Sequence, residues 1–285
     1  MKFAPFEYAA PGSVAEAVAL LAGAEGNAKA LAGGQSLLPI MAFRLAAPGL
    51  LVDLRNIPGL DKIAIENDAV RLGARVRWRD IQDDARLKTA QPLLHAAIEH
   101  VAHYQIRNRG TVGGSLAHAD PAAEMPGIAV TCDAGLLITG SKGSRTVAAR
   151  DFFLGPLSTV LADDELITEV RLPAWPARRR WGFEEFARRR GDFALAGVAV
   201  FYDVDAAGKA ANTHIGVIGA CHAPQRVAEA EAALNGRVVD EAAIQAAARA
   251  LCAAVEPPED LHASAAYRRS LAGTLLERAL LHASR

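Results

Sequence analysis

The chain has few cysteines, and none of them lies in a cluster motif. Cys132, Cys221 and Cys252 are the only three among 285 residues, and no pair has C-x-x-C spacing. Because iron–sulfur clusters are held by sets of cysteine thiolates, the chain is not expected to carry a cluster of its own. The scattered thiols also indicate a reducing compartment without structural disulfides. Redox chemistry here would therefore need a bound organic cofactor.

Long apolar runs and a charge imbalance are missing as well. The apolar stretch from Gly127 to Gly140 is interrupted by Asp133 and is too short to span a bilayer. The N-terminus lacks the basic, apolar and small-residue succession of a signal peptide, so we expect a cytoplasmic protein without a membrane span. The net charge of −1 gives no reason to expect nucleic acid as a partner.

Metal-binding and phosphate-binding clusters are not evident either. His100 and His103 are three residues apart, but there is no third ligand and no H-E-x-x-H spacing, so a solvated helix face is the favoured interpretation over a metal site. The basic triplets at 178–180 and 188–190 indicate a solvated or subunit-facing surface.

Two glycine pairs about eighty residues apart are the most informative feature present. They lie in the segments Ala32–Ser36 and Thr111–Ser115. Glycine permits a positive φ and close approach of a ligand, and successive backbone N–H groups in such a turn form an anion-binding concavity. Arg107 and Arg109 precede the second pair and are candidates to balance diphosphate charge. Each pair taken alone is more often a tight turn, but together the two turns would clamp one dinucleotide.

The hydrophobic pattern predicts an α+β fold. Alternation and turn residues predict strands, and 3.6-residue periodicity with N-caps at Ser13 and Ser36 predicts helices. The predicted strands cover 29–31, 51–54, 69–73, 136–139, 144–147, 166–172, 196–204 and 212–218. The predicted helices cover 13–21, a segment after Ser36, 78–84, 91–103, 224–234, 241–255 and 264–282. Two prolines and three arginines between 173 and 180 predict a linker.

Four segments together resemble one family. They are KALAGGQSLLP at 29–39, QIRNRGTVGGSLAHADP at 105–121, DELITEVRLP at 164–173 and RRRGDFA at 188–194. In order and spacing they resemble the FAD-binding medium subunit of the molybdenum hydroxylases, the xanthine dehydrogenase and carbon monoxide dehydrogenase family. The resemblance implies a two-lobed FAD-binding domain of the vanillyl-alcohol-oxidase (PCMH) type at residues 1–176. It also implies a small α+β C-terminal domain at residues 177–285.

The resemblance implies which residues hold the cofactor. Around the FAD diphosphate it places Lys29, Ala30, Leu31, Ala32, Gly33, Gly34, Gln35, Ser36, Thr111, Val112, Gly113, Gly114 and Ser115. Glu124 falls where the family usually has an aspartate that binds cofactor hydroxyls. Leu166 or Ile167 would contact the flavin through the backbone, and Phe193 falls where relatives have an aromatic residue near the isoalloxazine ring.

This sequence departs from the family pattern at several of these positions. Glu124 is one methylene longer than aspartate, and Ser115 replaces a common asparagine. Phe193 lacks the hydroxyl with which a tyrosine would reach the flavin. Glu185 stands where lysine is frequent, which leaves open any charge interaction with the flavin.

The resemblance also implies the chain's role and partners. Noncovalent FAD would accept electrons from the [2Fe–2S] clusters of a small subunit, in a heterotrimer with a large molybdopterin subunit or in a dimer of such heterotrimers. The electrons would leave to an acceptor such as NAD or a quinone, and no catalytic or metal-binding residue of this chain is required. The alternatives are a self-contained FAD-dependent oxidase or dehydrogenase, and a non-catalytic nucleotide-binding or assembly module. Relatives that reduce benzoyl thioesters carry an added cysteine-rich insertion, and the scattered cysteines argue against it.

Overall fold

The N-terminal lobe is a small parallel sheet. The structure, a computed structural model, describes residues 2–284. This lobe consists of β1 (Glu7–Ala9), α1 (Val14–Gly23), β2 (Ala28–Leu31), α2 (Leu37–Ala42) and β3 (Leu50–Asp53), with strand order β1-β3-β2. The Ser13 hydroxyl caps α1 by accepting the N–H of Glu16, as predicted. The Glu16 carboxylate accepts the N–H of Gly12, one residue before the cap.

The second lobe is an antiparallel sheet with helices inserted between its second and third strands in sequence. Its strands are β4 (Ile63–Ile65), β5 (Ala69–Gly73), β6 (Gly135–Gly140), β7 (Gly143–Ala148) and, after the short hairpin β8 (Phe153–Gly155) and β9 (Ser158–Thr159), β10 (Leu166–Pro173). The strand order is β4-β5-β10-β6-β7. The inserted helices are α3 (Trp78–Asp83), α4 (Leu87–Ala90), α5 (Pro92–Ile98), α6 (Tyr104–Arg107), α7 (Val112–His118) and α8 (Glu124–Thr131). They bury Leu94 and Leu116 against Leu72 and Val170 of the sheet.

The C-terminal unit is a four-stranded antiparallel sheet covered by helices. It comprises β11 (Arg180–Phe186), β12 (Ala196–Val204), β13 (Ala210–Ile218), β14 (Gln225–Arg226), α9 (Ala228–Leu234), α10 (Glu241–Ala254) and α11 (Ala265–Ala283). Successive side chains of a strand point to opposite faces, and each face of β12 packs into a different core. Val198 and Val200 pack with the C-terminal helices, whereas Ala199 and Phe201 join the core of the second lobe. This sheet therefore joins the two cores, and the predicted α+β class is confirmed.

The structure differs from the sequence prediction in several elements. The predicted helix at 224–234 begins only at Ala228, because Gln225 and Arg226 pair with β13 as β14. The predicted helix at 91–103 ends with α5 at Ile98, because the chain turns there and Ala102 takes a positive φ of 40°. Strand β11 was not predicted, since Arg180–Phe186 lacks a regular alternation. Within residues 2–284, no helix has both the length and the apolar composition needed to cross a membrane.

Candidate cofactor site

The first glycine turn presents a row of free backbone donors. It connects β2 to α2, and Gly34 has a positive φ of 74°, as a turn of this kind requires. The backbone N–H groups of Gly33 through Leu37 donate to no acceptor within residues 2–284. Ser36 makes no side-chain capping bond, contrary to its predicted role as the helix cap. Nothing in the described chain therefore competes with a ligand for these donors.

The second glycine turn is built differently. The Thr111 hydroxyl accepts the N–H of Gly114 at 3.2 Å, and the N–H of Gly113 donates to the carbonyl of Ala74 at 2.8 Å. The N–H of Ser115 donates to the Thr111 carbonyl, so α7 begins with its first donors already paired. A Cβ at Gly113 would lie only 2.6 Å from the Ala74 Cβ. This turn lets two backbones approach closely and leaves few free donors.

The structure brings the two turns into contact. A Cβ at Gly33 would overlap the carbonyl oxygen of Arg109, so only glycine fits there. A Cβ at Gly114 would lie 3.8 Å from the Cβ of Ala32. Two segments that are distant in sequence therefore form one surface, on which the free donors of the first turn lie beside the start of α7.

The remaining diphosphate candidates flank this surface. Leu31 is buried at the end of β2, whereas Lys29 is exposed. The Gln35 side chain donates to the Gly33 carbonyl at 3.2 Å and steadies the turn. Leu166 and Ile167 are buried at the start of β10. They lie close behind the second turn, because the next residue, Thr168, accepts the N–H of Ala74 through its carbonyl.

The two arginines before the second turn differ in their surroundings. Arg107 donates to the carbonyls of Val101 and Ala102 and to Gln82, so it holds the loop after α5 and is not free for an anion. Arg109 is exposed.

Glu124 is a buried acid at the first position of α8. No other residue donates a hydrogen bond to its side chain within the described residues, and only 8% of the residue is exposed. Burial raises the pKa of Glu124 to about 7, although a hydrogen bond from its own backbone N–H lowers it, and the charge of Asp120 raises the pKa further. A carboxyl in this state donates as well as accepts hydrogen bonds near neutral pH.

Phe193 lies at the tip of the hairpin between β11 and β12 and is 67% exposed. The following residues contact the second lobe through Gly219, whose N–H donates to the Pro121 carbonyl at 2.9 Å. A Cβ at Gly219 would lie 2.8 Å from the Ala194 carbonyl oxygen. Phe193 is therefore held near the turn that precedes Glu124.

A cavity of about 310 Å³ opens beside this hairpin. It is lined by Glu99, His100, Glu185, Phe186, Ala187, Arg189, Arg190 and Gly191. No group of three or more metal-ligating side chains occurs in the described part of the chain. His100 instead packs edge-on against Phe183 at 5.0 Å, and burial lowers the pKa of its ring.

Sequence reasoning missed Arg268, a buried residue of α11. It donates to the carbonyls of Leu195 and Gly219 and pairs with Asp260, so it holds both segments next to Phe193. One signal was available: Arg268 is spaced four and seven residues from Ala272 and Leu275, which places an arginine on the apolar face of the helix.

The residues present fit an anionic dinucleotide. The first turn offers consecutive unpaired N–H groups, and glycine at positions 33 and 34 permits the backbone conformation and the contact with Arg109 that present them. Charge-assisted hydrogen bonds from such donors contribute about 1.5–3 kcal/mol each. The fit rests on backbone groups, so it depends on the conformation of the turns more than on any side chain.

Comparisons with known proteins match both parts of the chain to described families. Residues 4–175 match the family described as the FAD binding domain in molybdopterin dehydrogenase, and residues 181–283 match the CO dehydrogenase flavoprotein C-terminal domain. The chain is 42% identical to the nicotine 6-hydroxylase medium subunit of Paenarthrobacter nicotinovorans, over 99% of both chains. It is 40% identical to the carbon monoxide dehydrogenase medium chain of Hydrogenophaga pseudoflava, over 96% of both.

Solved structures give the same result. A chain of carbon monoxide dehydrogenase from Hydrogenophaga pseudoflava superposes with a TM-score of 0.96 at 41% identity, covering 99% of this chain and 98% of that one. Quinoline 2-oxidoreductase from Pseudomonas putida 86 superposes with a TM-score of 0.94 at 39% identity, covering 100% of this chain and 98% of that one.

Proposed function

Because the chain belongs to the family of FAD-binding medium subunits of molybdenum hydroxylases, we propose that it relays electrons between a partner subunit and an external acceptor. The electrons would come from [2Fe–2S] clusters of a small subunit and pass through noncovalently bound FAD. They would leave to a carrier such as NAD or a quinone. FAD supplies the redox chemistry, since it accepts electrons singly and releases them in pairs.

The observation that carries the proposal is the row of free N–H groups from Gly33 to Leu37, held beside the second turn. We assign the FAD diphosphate to these donors and to the adjoining predicted residues of both turns. Glu124 would hydrogen-bond cofactor hydroxyls, and the backbone at Leu166 or Ile167 would contact the flavin. The side chain of Phe193 would pack near the ring.

The proposed assembly is a heterotrimer with a small iron–sulfur subunit and a large molybdopterin subunit in the cytoplasm. Residues 1–176 would form the FAD-binding domain and residues 177–285 the C-terminal domain. Relatives of similar identity carry names that refer to nicotine, carbon monoxide and caffeine. This spread supports a division of labour in which the large subunit selects the organic substrate.

Noncovalent binding has a simple test. The proposed site offers backbone donors and hydroxyls, and neither glycine turn contains a histidine or cysteine to which a flavin could be linked. Acid precipitation of the purified yellow protein should therefore release all flavin into the supernatant. Colour retained in the washed pellet would contradict noncovalent binding, and a colourless protein with no flavin spectrum would favour a non-catalytic assembly module.

A further inference from the structure

Glu185 is a buried acid without a hydrogen-bond partner. It lies on β11 opposite Gly197 of β12, and its side chain is only 4% exposed. Its Oε2 atom has no partner within the described residues, and its Oε1 atom lies 4.0 Å from Nδ1 of His100, beyond hydrogen-bond distance. The carboxyl lines the cavity beside the β11–β12 hairpin. A buried hydrogen-bond acceptor without a donor costs folding free energy, which favours the protonated form of the carboxyl.

Glu124 and Glu185 lie on opposite sides of the boundary between α8 and the C-terminal sheet. The position of a Cβ on Gly197 is 3.4 Å from Cγ of Glu185 and 3.4 Å from Cβ of Ile218. Ile218 in turn packs directly onto Gly127, which is one helical turn along α8 from Glu124. The two acids therefore lie on the two sides of the boundary where the C-terminal sheet meets α8.

No cation of the described chain neutralises this pair. Arg189 and Arg190 line the open side of the cavity, but neither forms a salt bridge with Glu185. Burial lowers the pKa of His100, so the ring is neutral near neutral pH. The other groups that face the pair, Glu99 in the cavity and Asp120 before α8, are acids. Burial and the charge of Glu124 accordingly raise the pKa of Glu185 far above that of an ordinary glutamate.

We propose that Glu124 and Glu185 form an acid pair at the FAD site, and that Glu185, at alkaline pH where it is ionised in the oxidised protein, takes up one proton from solvent when the flavin is reduced. This inference rests on the proposed function, because it takes Glu124 to lie against the cofactor. Electrons added to the flavin increase the negative charge beside the pair and therefore strengthen its hold on a proton. By linkage, a proton taken from solvent then makes reduction easier.

The coupling can be measured as the change of the flavin midpoint potential with pH. The flavin midpoint potential of the full FAD-loaded chain is titrated chemically from neutral to alkaline pH, in the wild type, in Glu185→Gln and in Glu184→Gln. Glu185→Gln keeps the shape of the side chain but removes the group that can gain or lose a proton. Glu184→Gln makes the same substitution on the opposite face of β11. One coupled proton adds up to about 30 mV per tenfold change in proton concentration for a two-electron couple. We expect this extra slope in the wild type and in Glu184→Gln, and its loss in Glu185→Gln.

A second readout tests the acid pair without the cofactor. A carboxyl whose pKa is raised by folding stabilises the protein fully below its unfolded pKa, and this contribution is lost as pH rises through the folded pKa. The FAD-free chain should therefore lose thermal stability from mildly acidic to alkaline pH, and Glu185→Gln should lose less. At alkaline pH the melting temperature of Glu185→Gln should exceed that of the wild type.

The two readouts separate the possible failures. An unchanged potential slope in Glu185→Gln would overturn the coupling. Equal pH dependence of stability in the wild type and in Glu185→Gln would overturn the acid pair itself. A wild-type chain that binds no FAD would instead overturn the proposed function and the coupling with it, while the stability measurement would still decide whether the pair holds a proton.

Discussion

The glycines of the first turn are required for different reasons, although they are adjacent. Gly33 is fixed by contact, because any Cβ there would overlap the Arg109 carbonyl. Gly34 is fixed by its backbone conformation, with a φ of 74° that β-branched residues rarely adopt. In the second turn Gly114 has no positive φ, but a Cβ there would lie 2.7 Å from the Thr111 hydroxyl that caps α7. The sequence shows two similar pairs, and their separate constraints come from tertiary contacts.

Replacing Gly34 or Gly114 with valine should strongly reduce FAD content in a folded protein. At Gly34 the strain costs about 1–3 kcal/mol and distorts the free donors, and at Gly114 the new side chain displaces the Thr111 cap. The flavin-to-protein absorbance ratio and far-UV circular dichroism measure the two properties. Gly155→Val is the matched control, because a Cβ there meets nothing within 4 Å. Normal flavin occupancy in both turn variants would refute the assignment of these turns.

Helix α11 supports the proposed site from a distance. Arg268 reaches from it to the carbonyls of Leu195, at 2.7 Å, and Gly219, at 3.1 Å. These carbonyls belong to the segments that follow Phe193 and β13. The C-terminal helix therefore fixes the backbone next to the predicted flavin contact, although it contributes no predicted cofactor residue.

Arg268→Met should destabilise the chain and weaken FAD binding. Each carbonyl left without a donor costs about 1–3 kcal/mol, and the freed segment no longer holds Phe193 in place. Urea unfolding measures the stability, and flavin released on dilution measures the binding. Arg278→Met is the control, since Arg278 is exposed on the same helix. If the two variants behave alike, the hydrogen bonds from Arg268 to Leu195 and Gly219 have no role in holding the site.

The regular elements were predictable where local pattern determines them. Strands β5, β10 and β12 follow from runs of β-branched and apolar residues, and α10 and α11 follow from periodicity behind Asp240 and Ser264, whose side chains cap them. The end of α5 was not predictable, because its periodicity continues while Arg107 holds the next loop in another conformation. The packing of Gly33 on Arg109 and the position of Glu185 across the boundary from α8 likewise come from tertiary contacts. The resemblance indicated the family, but it could not indicate these contacts.

The candidate cofactor residues come from all three parts of the molecule. The parallel lobe contributes the first turn, the antiparallel lobe contributes the second turn and Glu124, and the C-terminal sheet contributes Glu185 and Phe193. Because β12 packs into two cores at once, the position of the third part is set by folding and not by a loose linker. Such an arrangement suits a chain that positions a cofactor between partner subunits.

The most direct measurement is dye reduction by the purified FAD-loaded chain, supplied with purines, pyridines or carbon monoxide, alone and then with its iron–sulfur and molybdenum subunits. We expect no turnover by the chain alone, because its three cysteines are scattered and its proposed role is electron relay. Turnover should begin when the partners are added. As a control, the chemically reduced chain should pass its electrons to the dye. Sustained turnover by the chain alone would contradict the account and identify a self-contained oxidase or dehydrogenase.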